Sequence, residues 1–146
     1  QYSAVLAEAP IDIICAGIGE NGHLAFNDPP VADFSDPLTV KVVALTQESR
    51  EQQVHDGCFP DLAAVPTHAL TITIPVIIGA GQVHTVVPGP TKARAVRDAL
   101  LEPISPACPA TILRRHPSAV LYVDPDSVAL FRAGQGRQEG TSHVHR

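Results

Sequence analysis

The sequence predicts an α/β domain on a mostly parallel sheet with flanking helices, a Rossmann-like three-layer arrangement. Three observations carry this. Short β-branched runs alternate with helical segments along the chain. These runs end in glycine or proline turns. The run "IDIICAG" is apolar almost without interruption, as parallel strands covered on both faces are. With 146 residues, 45% of them hydrophobic, the chain has the size and composition of one globular domain. Residues 1–132 read as that domain, and the polar, glycine-containing stretch 133–146 as a disordered tail.

The opening "QYSAVLAEAP" reads as the end of a helix entering a turn and does not begin with Met, so the expectation is a piece of a longer chain, truncated at its N-terminus. "IDIICAG" is the first strand, bounded by Pro10 and Gly17. "VKVVAL" is β-branched, and "TQESREQQV" after it starts on a capping Thr, giving a strand and a short helix. "VPTHALTITIPVIIGAG" is ambiguous by periodicity. Its Thr and Ile favour a short strand, followed by a helix with Pro75 in the first turn that ends at Gly79 or Gly81. "QVHTVVPG" then "PTKARAVRDALLE" make a strand, a glycine turn and a helix with Pro at its start. "PATILRRHP" is a short helix closed by Pro117, "SAVLYVD" the last strand, and "PDSVALFRAG" an amphipathic helix stopped by its glycine.

Net charge is −5 and the sequence pI is about 5.7, with basic residues scattered except in "LRRH", so no basic face exists to neutralise a phosphate backbone. Nucleic acid is therefore not an expected partner. Apolar runs are too short or too interrupted to span a bilayer, and no secretory signal opens the sequence, so a cytoplasmic location and no membrane partner are expected. Cys15, Cys58 and Cys108 are odd in number and widely spaced. They suggest neither a disulfide framework nor a metal or redox site, and read as buried thiols.

The segment "GIGENGHLAFNDPP" (17–30) follows the first strand, at the sheet edge where open α/β folds place ligands. Gly17 and Gly19 permit a tight turn and a close approach of backbone N–H groups to a ligand, and Gly22 frees the chain to swing His23 toward the strand ends. His23 is the one side chain here that titrates near neutrality unperturbed, and Asn21 and Asp28 are near enough in sequence to orient it. Glycines after strands are also ordinary turn punctuation, and a loop His is often a surface group. The residues alone therefore leave acid–base catalysis and a plain loop both open. The spacing formally matches G-x-G-x-x-G, but two prolines follow where a dinucleotide-binding helix would run, so a nicotinamide or flavin nucleotide site is rejected. His68, His84 and His116 read as structural or surface groups. "HVHR" lacks an acidic or sulfur partner, and no metal is assigned.

Four blocks, "GIGENGHLAFNDP", "VPTHALTITIP", "PGPTKARAV" and "PATILRRHP" followed by "LYVD", occur in an order that resembles the glucosamine-6-phosphate deaminase (isomerase) family, within the superfamily shared with 6-phosphogluconolactonase. They cover roughly residues 10 to 132. "AFNDP" after the His is similar to the deaminase branch, whereas the lactonases continue with a "SLFP"-like segment. The resemblance implies a C-terminal portion of an enzyme of amino-sugar (N-acetylglucosamine) catabolism, a hydrolase that isomerises and deaminates glucosamine 6-phosphate to fructose 6-phosphate and ammonia. Neither metal nor organic cofactor is implied. His23 would assist ring opening, oriented by Asn21 and Asp28, which stand where Asp and Glu are usual. Asn cannot stabilise an imidazolium by charge, and Asp is one methylene shorter than Glu, so that its reach to the His requires a backbone shift. Gly17 would offer a backbone contact to the sugar, and Lys92 would hold the phosphate at the start of a helix. The family's arginine before a Phe is missing. "HDGCFP" puts His55 in that neighbourhood. The phosphate-cradling loop and the Asp that moves the proton between C2 and C1 are implied to precede the part matched here, and no residue of this sequence is assigned to them. The partner implied is a phosphorylated amino sugar, with homo-oligomerisation left open. Alternatives are lactone hydrolysis of the 6-phosphogluconolactonase kind and a non-catalytic sugar-phosphate-binding module.

Overall fold

The computed structural model describes residues 1–139. In chain order its helices and strands are α1 (Tyr2–Leu6), β1 (Ile13–Ala16), β2 (Val40–Ala44), α2 (Gln47–His55), β3 (His68–Ile72), α3 (Ile74–Ile78), β4 (Gln82–Val87), α4 (Ala93–Leu101), β5 (Ala119–Val123) and α5 (Ala129–Glu139). A 3-10 turn at Pro90–Lys92 leads into α4, and the short helix expected at 109–116 is a 3-10 segment, Pro109–Arg115. Pro109 opens that segment, and the Arg114 guanidinium donates to the carbonyls of Thr111, Leu100 and Glu102.

The predicted α/β class holds. β1, β4 and β5 form a parallel sheet in the order β1-β4-β5, with Ile13 beside Gln82 and Val83 beside Ala119. β2 and β3 leave this sheet and pair antiparallel with each other, Val42 opposite Leu70. The core lies on one face of the parallel sheet. There Val83 and Val87 of β4 pack with Ile74 and Ile77 of α3, Val96 and Ala99 of α4, and Ile112, all nearly inaccessible to water. Burying each of these valine and isoleucine side chains stabilises by about 1.5–3 kcal/mol.

The opposite face is open. Ile13, Val86, Val120 and Tyr122 remain 42 to 57% exposed on it, with Tyr122 stacked on His84. β1, expected to be covered on both faces, is an edge strand that buries neither face fully, because among the described residues nothing packs against its outer side. The sheet and one helical layer of the expected three are therefore present among the described residues. Cys15 lies on this open face and Cys58 follows α2. Both are exposed, which overturns the expectation of three buried thiols, and Cys108 alone is buried.

The stretch expected to be a disordered tail from residue 133 is helical as far as Glu139. α5 continues through Gly134 to Glu139, because Gly134 is not in the left-handed conformation that ends helices, and its backbone faces Leu101 of α4. Residues 140–146 lie outside the described residues.

Candidate active site

The segment 17–30 leaves β1 and folds back as a loop pinned on three sides. Gly22 adopts φ +85°, which a side chain would strain, and a Cβ there would meet Cys108 Sγ at 2.7 Å. Its carbonyl accepts a hydrogen bond from Ala110 N, tying the loop to the 3-10 segment. Toward β3, Phe26 N donates to Thr71 Oγ1, and Asn27 Nδ2, fully buried, donates to the carbonyls of Leu24 and Ile72. Toward α2, Gln52 Oε1 accepts from Glu20 N. Leu24 and Asn27 close a two-residue turn whose first central residue, Ala25, sits at φ +52°. Gly19 lies directly against the imidazole of His23, so that a Cβ on Gly19 would fall among the ring atoms. This is the structural demand behind the second glycine.

His23 is buried to 7% exposure. Its Nδ1 faces three oxygens: Asn21 Oδ1 at 2.8 Å, Asp28 Oδ1 at 3.0 Å and Ser49 Oγ at 3.0 Å. Asn21 Oδ1 also accepts from the backbone N of His23, while its Nδ2 points to Asp28 Oδ1 at 3.2 Å, an orientation that satisfies both ends of the amide. Asp28 is fully buried, and its second oxygen accepts from Thr46 N and Thr46 Oγ1, the N-cap of α2. Burial by itself would push this carboxyl up. The donors His23, Ser49, Thr46 and Asn21 outweigh burial and hold it well below the usual carboxylate range. The aspartate thus reaches the imidazole directly despite its missing methylene. The loop supplies the needed approach, with Val31 N and Ala32 N bonded to the Asp28 carbonyl.

The three residues expected around ring opening, His23, Asn21 and Asp28, are therefore in mutual contact. Gly17 and Lys92, expected to bind substrate, line one cavity of about 530 Å³ with Gly19, His23, Ala25 and Gln53. Gly17 is exposed at the end of β1 and Lys92 half-buried at the start of α4, where it makes no ion pair among the described residues. His55 belongs elsewhere. It lies on a second cavity of about 420 Å³ with Glu20, Glu48, Arg94 and Asp98, and its ring is 4.0 Å from Glu20 Oε1. Arg50 is used structurally, donating to the carbonyls of Leu62 and Val65. Ser49 and Thr46 were not singled out as site residues from the sequence. The capping Thr was legible, but nothing in a linear reading says that its helix would point at position 28. No group of three or more His, Cys, Asp or Glu suited to a metal ion occurs among the described residues.

The fold is the one shared by 6-phosphogluconolactonases and glucosamine-6-phosphate deaminases. The Trypanosoma brucei 6-phosphogluconolactonase matches 88% of this chain and 50% of its own with a TM-score of 0.65 at 17% identity, a likeness of fold alone. Within that fold the chain is homologous to the deaminases, as the four sequence blocks implied. A structure of a monomeric glucosamine-6-phosphate deaminase matches 88% of this chain and 52% of its own, with a TM-score of 0.81 at 32% identity. The glucosamine-6-phosphate deaminase of Bacillus cytotoxicus is 40% identical over 130 residues, 89% of this chain and 48% of its own length, and that of Bacillus thuringiensis is 39% identical over the same span. The chain spans about half the length of the curated relatives it matches. No protein-family model matches it.

Proposed function

We propose that this chain carries the ring-opening part of a glucosamine-6-phosphate deaminase site, which converts glucosamine 6-phosphate and water to fructose 6-phosphate and ammonia in the cytoplasm as a step of amino-sugar catabolism. The observation that carries the reading is the environment of His23. Asn21 Oδ1 and the ionised Asp28 can only accept, so the neutral ring keeps its proton on Nδ1, and Nε2 is left as a base with no hydrogen bond among the described residues. A sugar seated in the 530 Å³ cavity brings its anomeric hydroxyl to Nε2, which takes that proton and returns it to the ring oxygen O5 as the C1–O5 bond breaks and the C1 carbonyl forms, leaving the imidazole neutral again. The imidazolium formed in between is stabilised by Asp28 across 3.0 Å, which supplies the charge that Asn21 lacks. Lys92 at the cavity rim faces the phosphate as a point charge, and Gly17 leaves its backbone open to a hydroxyl. The proton transfer between C2 and C1 is assigned to no residue of this chain.

The test is ammonia release from glucosamine 6-phosphate by this chain, alone and joined to the part of the Bacillus cytotoxicus enzyme that it does not span. Release by the joined protein is expected. His23→Ala should lower its turnover by about 10²–10⁴-fold with an unchanged circular dichroism spectrum. Activity equal to the parent would remove His23 from the mechanism. Acid release from 6-phosphogluconolactone in place of ammonia would move the reading to lactone hydrolysis, and hexosamine-phosphate binding without either product would reduce it to a binding module.

A further inference from the structure

The hydroxyl of Ser49 has an unusual position for a residue in the first turn of a helix. It is 1% exposed, and both of its hydrogen-bonding neighbours belong to the His23 cluster: Asp28 Oδ1 at 2.5 Å and His23 Nδ1 at 3.0 Å. The helix end does not need it. Capping of α2 is carried by Thr46, whose Oγ1 accepts from the backbone N of Ser49, so the Ser49 side chain is left over for another purpose. A serine hydroxyl has one proton to give. The carboxylate is the stronger acceptor and the closer one, so the proton goes to Asp28 and a lone pair of Oγ faces the imidazole.

Two consequences follow for the ring. Nδ1 is bounded by three oxygens, none of which has a proton to offer it, so an unprotonated Nδ1 would face lone pairs on every side. Asp28 is also fastened to α2 at both oxygens, by Thr46 on Oδ2 and by Ser49 on Oδ1, so that its carboxylate plane cannot rotate away from the imidazole. With the Ser49 hydroxyl gone, Oδ1 keeps only the longer contact to Asn21 Nδ2 and the ring itself.

We propose that Ser49 is a positioning residue for His23: its hydroxyl, held between Asp28 and the imidazole, keeps the Asp28 carboxylate against Nδ1 and so fixes the orientation of the ring. The catalytic meaning of this rests on the reading of His23 as the ring-opening base, but the positioning itself does not. The groups that face the ring are Asp28 and Asn21 from its own loop and Ser49 from α2, and Lys92 lines the same cavity.

The proposal is tested on the 146-residue chain labelled with 15N-histidine. In the unaltered protein the His23 Nδ1–H is expected as a resolved, slowly exchanging proton, with Nε2 at the shift of an unprotonated nitrogen. Ser49→Ala should speed exchange of that proton by about tenfold while Asn21 and Asp28 still hold the Nδ1–H tautomer, the scale expected for losing one hydrogen bond to a charged group. Ser49→Thr, which keeps the hydroxyl, should restore the parent spectrum. An Nε2–H tautomer in the unaltered protein would overturn the proposal. So would Ser49→Ala with unchanged exchange, or Ser49→Thr that folds and fails to restore it. These readouts do not require turnover, so the absence of ammonia release with the expected spectra would remove the deaminase reading and leave the positioning role standing. In the joined, active protein Ser49→Ala is expected to lower kcat with KM within about twofold.

Discussion

Ala25 carries a left-handed backbone, φ +52°, two residues after His23 and on the wall of the same cavity. Non-glycine residues hold this conformation at a cost of about 1–2 kcal/mol, and the first central position of a tight two-residue turn is one where glycine is preferred. The turn is kept by Leu24 and Asn27, both fully buried. Ala25→Gly is expected to raise the unfolding free energy by about 1 kcal/mol in urea titrations, relief of strain outweighing the added freedom of the unfolded chain. Asp28 gives a second residue-scale prediction. Its folded pKa lies below the ordinary value, so its contribution to stability is present at neutral pH and lost as pH falls below about 4, where the unfolded chain takes up the proton first. The urea midpoint of the parent should therefore drop more steeply from pH 5 to pH 2 than that of Asp28→Asn, which starts lower and changes less.

At the scale of elements, α2 is the part on which the site leans. Its sequence "QESREQQVH" has almost no apolar face, yet Ser49 and Gln52 are buried, because the helix packs by hydrogen bonds to the His loop. Thr46→Ala removes both a cap and one of the two donors to Asp28 Oδ2. Since the backbone donor at 46 survives the change, a loss of about 1–2 kcal/mol is expected, measured by thermal or urea unfolding. This arrangement also explains what the sequence disclosed and what it did not. Strands β1, β4 and β5, the Thr46 cap and the Gly79 stop were legible because β-branched runs, caps and glycines act locally. The antiparallel pairing of β2 with β3 was not, since the same β-branched runs suit either direction, and the partner is decided by packing against residues far along the chain. His23, Asn21 and Asp28 were legible as one short segment. Ser49 was not, because a polar helix reads as a solvated one unless its burial is known.

For the molecule as a whole, the open sheet face is the dominant surface feature. Parallel sheets are normally covered on both sides, and Ile13, Val86, Val120 and Tyr122 form a contiguous apolar surface instead. The isolated chain is expected to enhance the fluorescence of an apolar dye such as anilinonaphthalene sulfonate. Val86→Thr with Val120→Thr, which keep the β-branched shape, should reduce that signal while leaving the unfolding midpoint within about 0.5 kcal/mol equivalent. No helix among the described residues is long and apolar enough to cross a membrane.

The parallel pairing of β1 with β4 has a kinetic consequence. Ile13 meets Gln82, and Ala16 meets Thr85, across nearly half the chain, so the junction of His loop and α4 cannot assemble until that long loop has closed. β2 and β3 join residues far closer in sequence, and α2 is local. In a refolding experiment the antiparallel pair and the capped helix are therefore the early structures, and the cavity that joins Gly17, His23 and Lys92 is the last thing the chain makes.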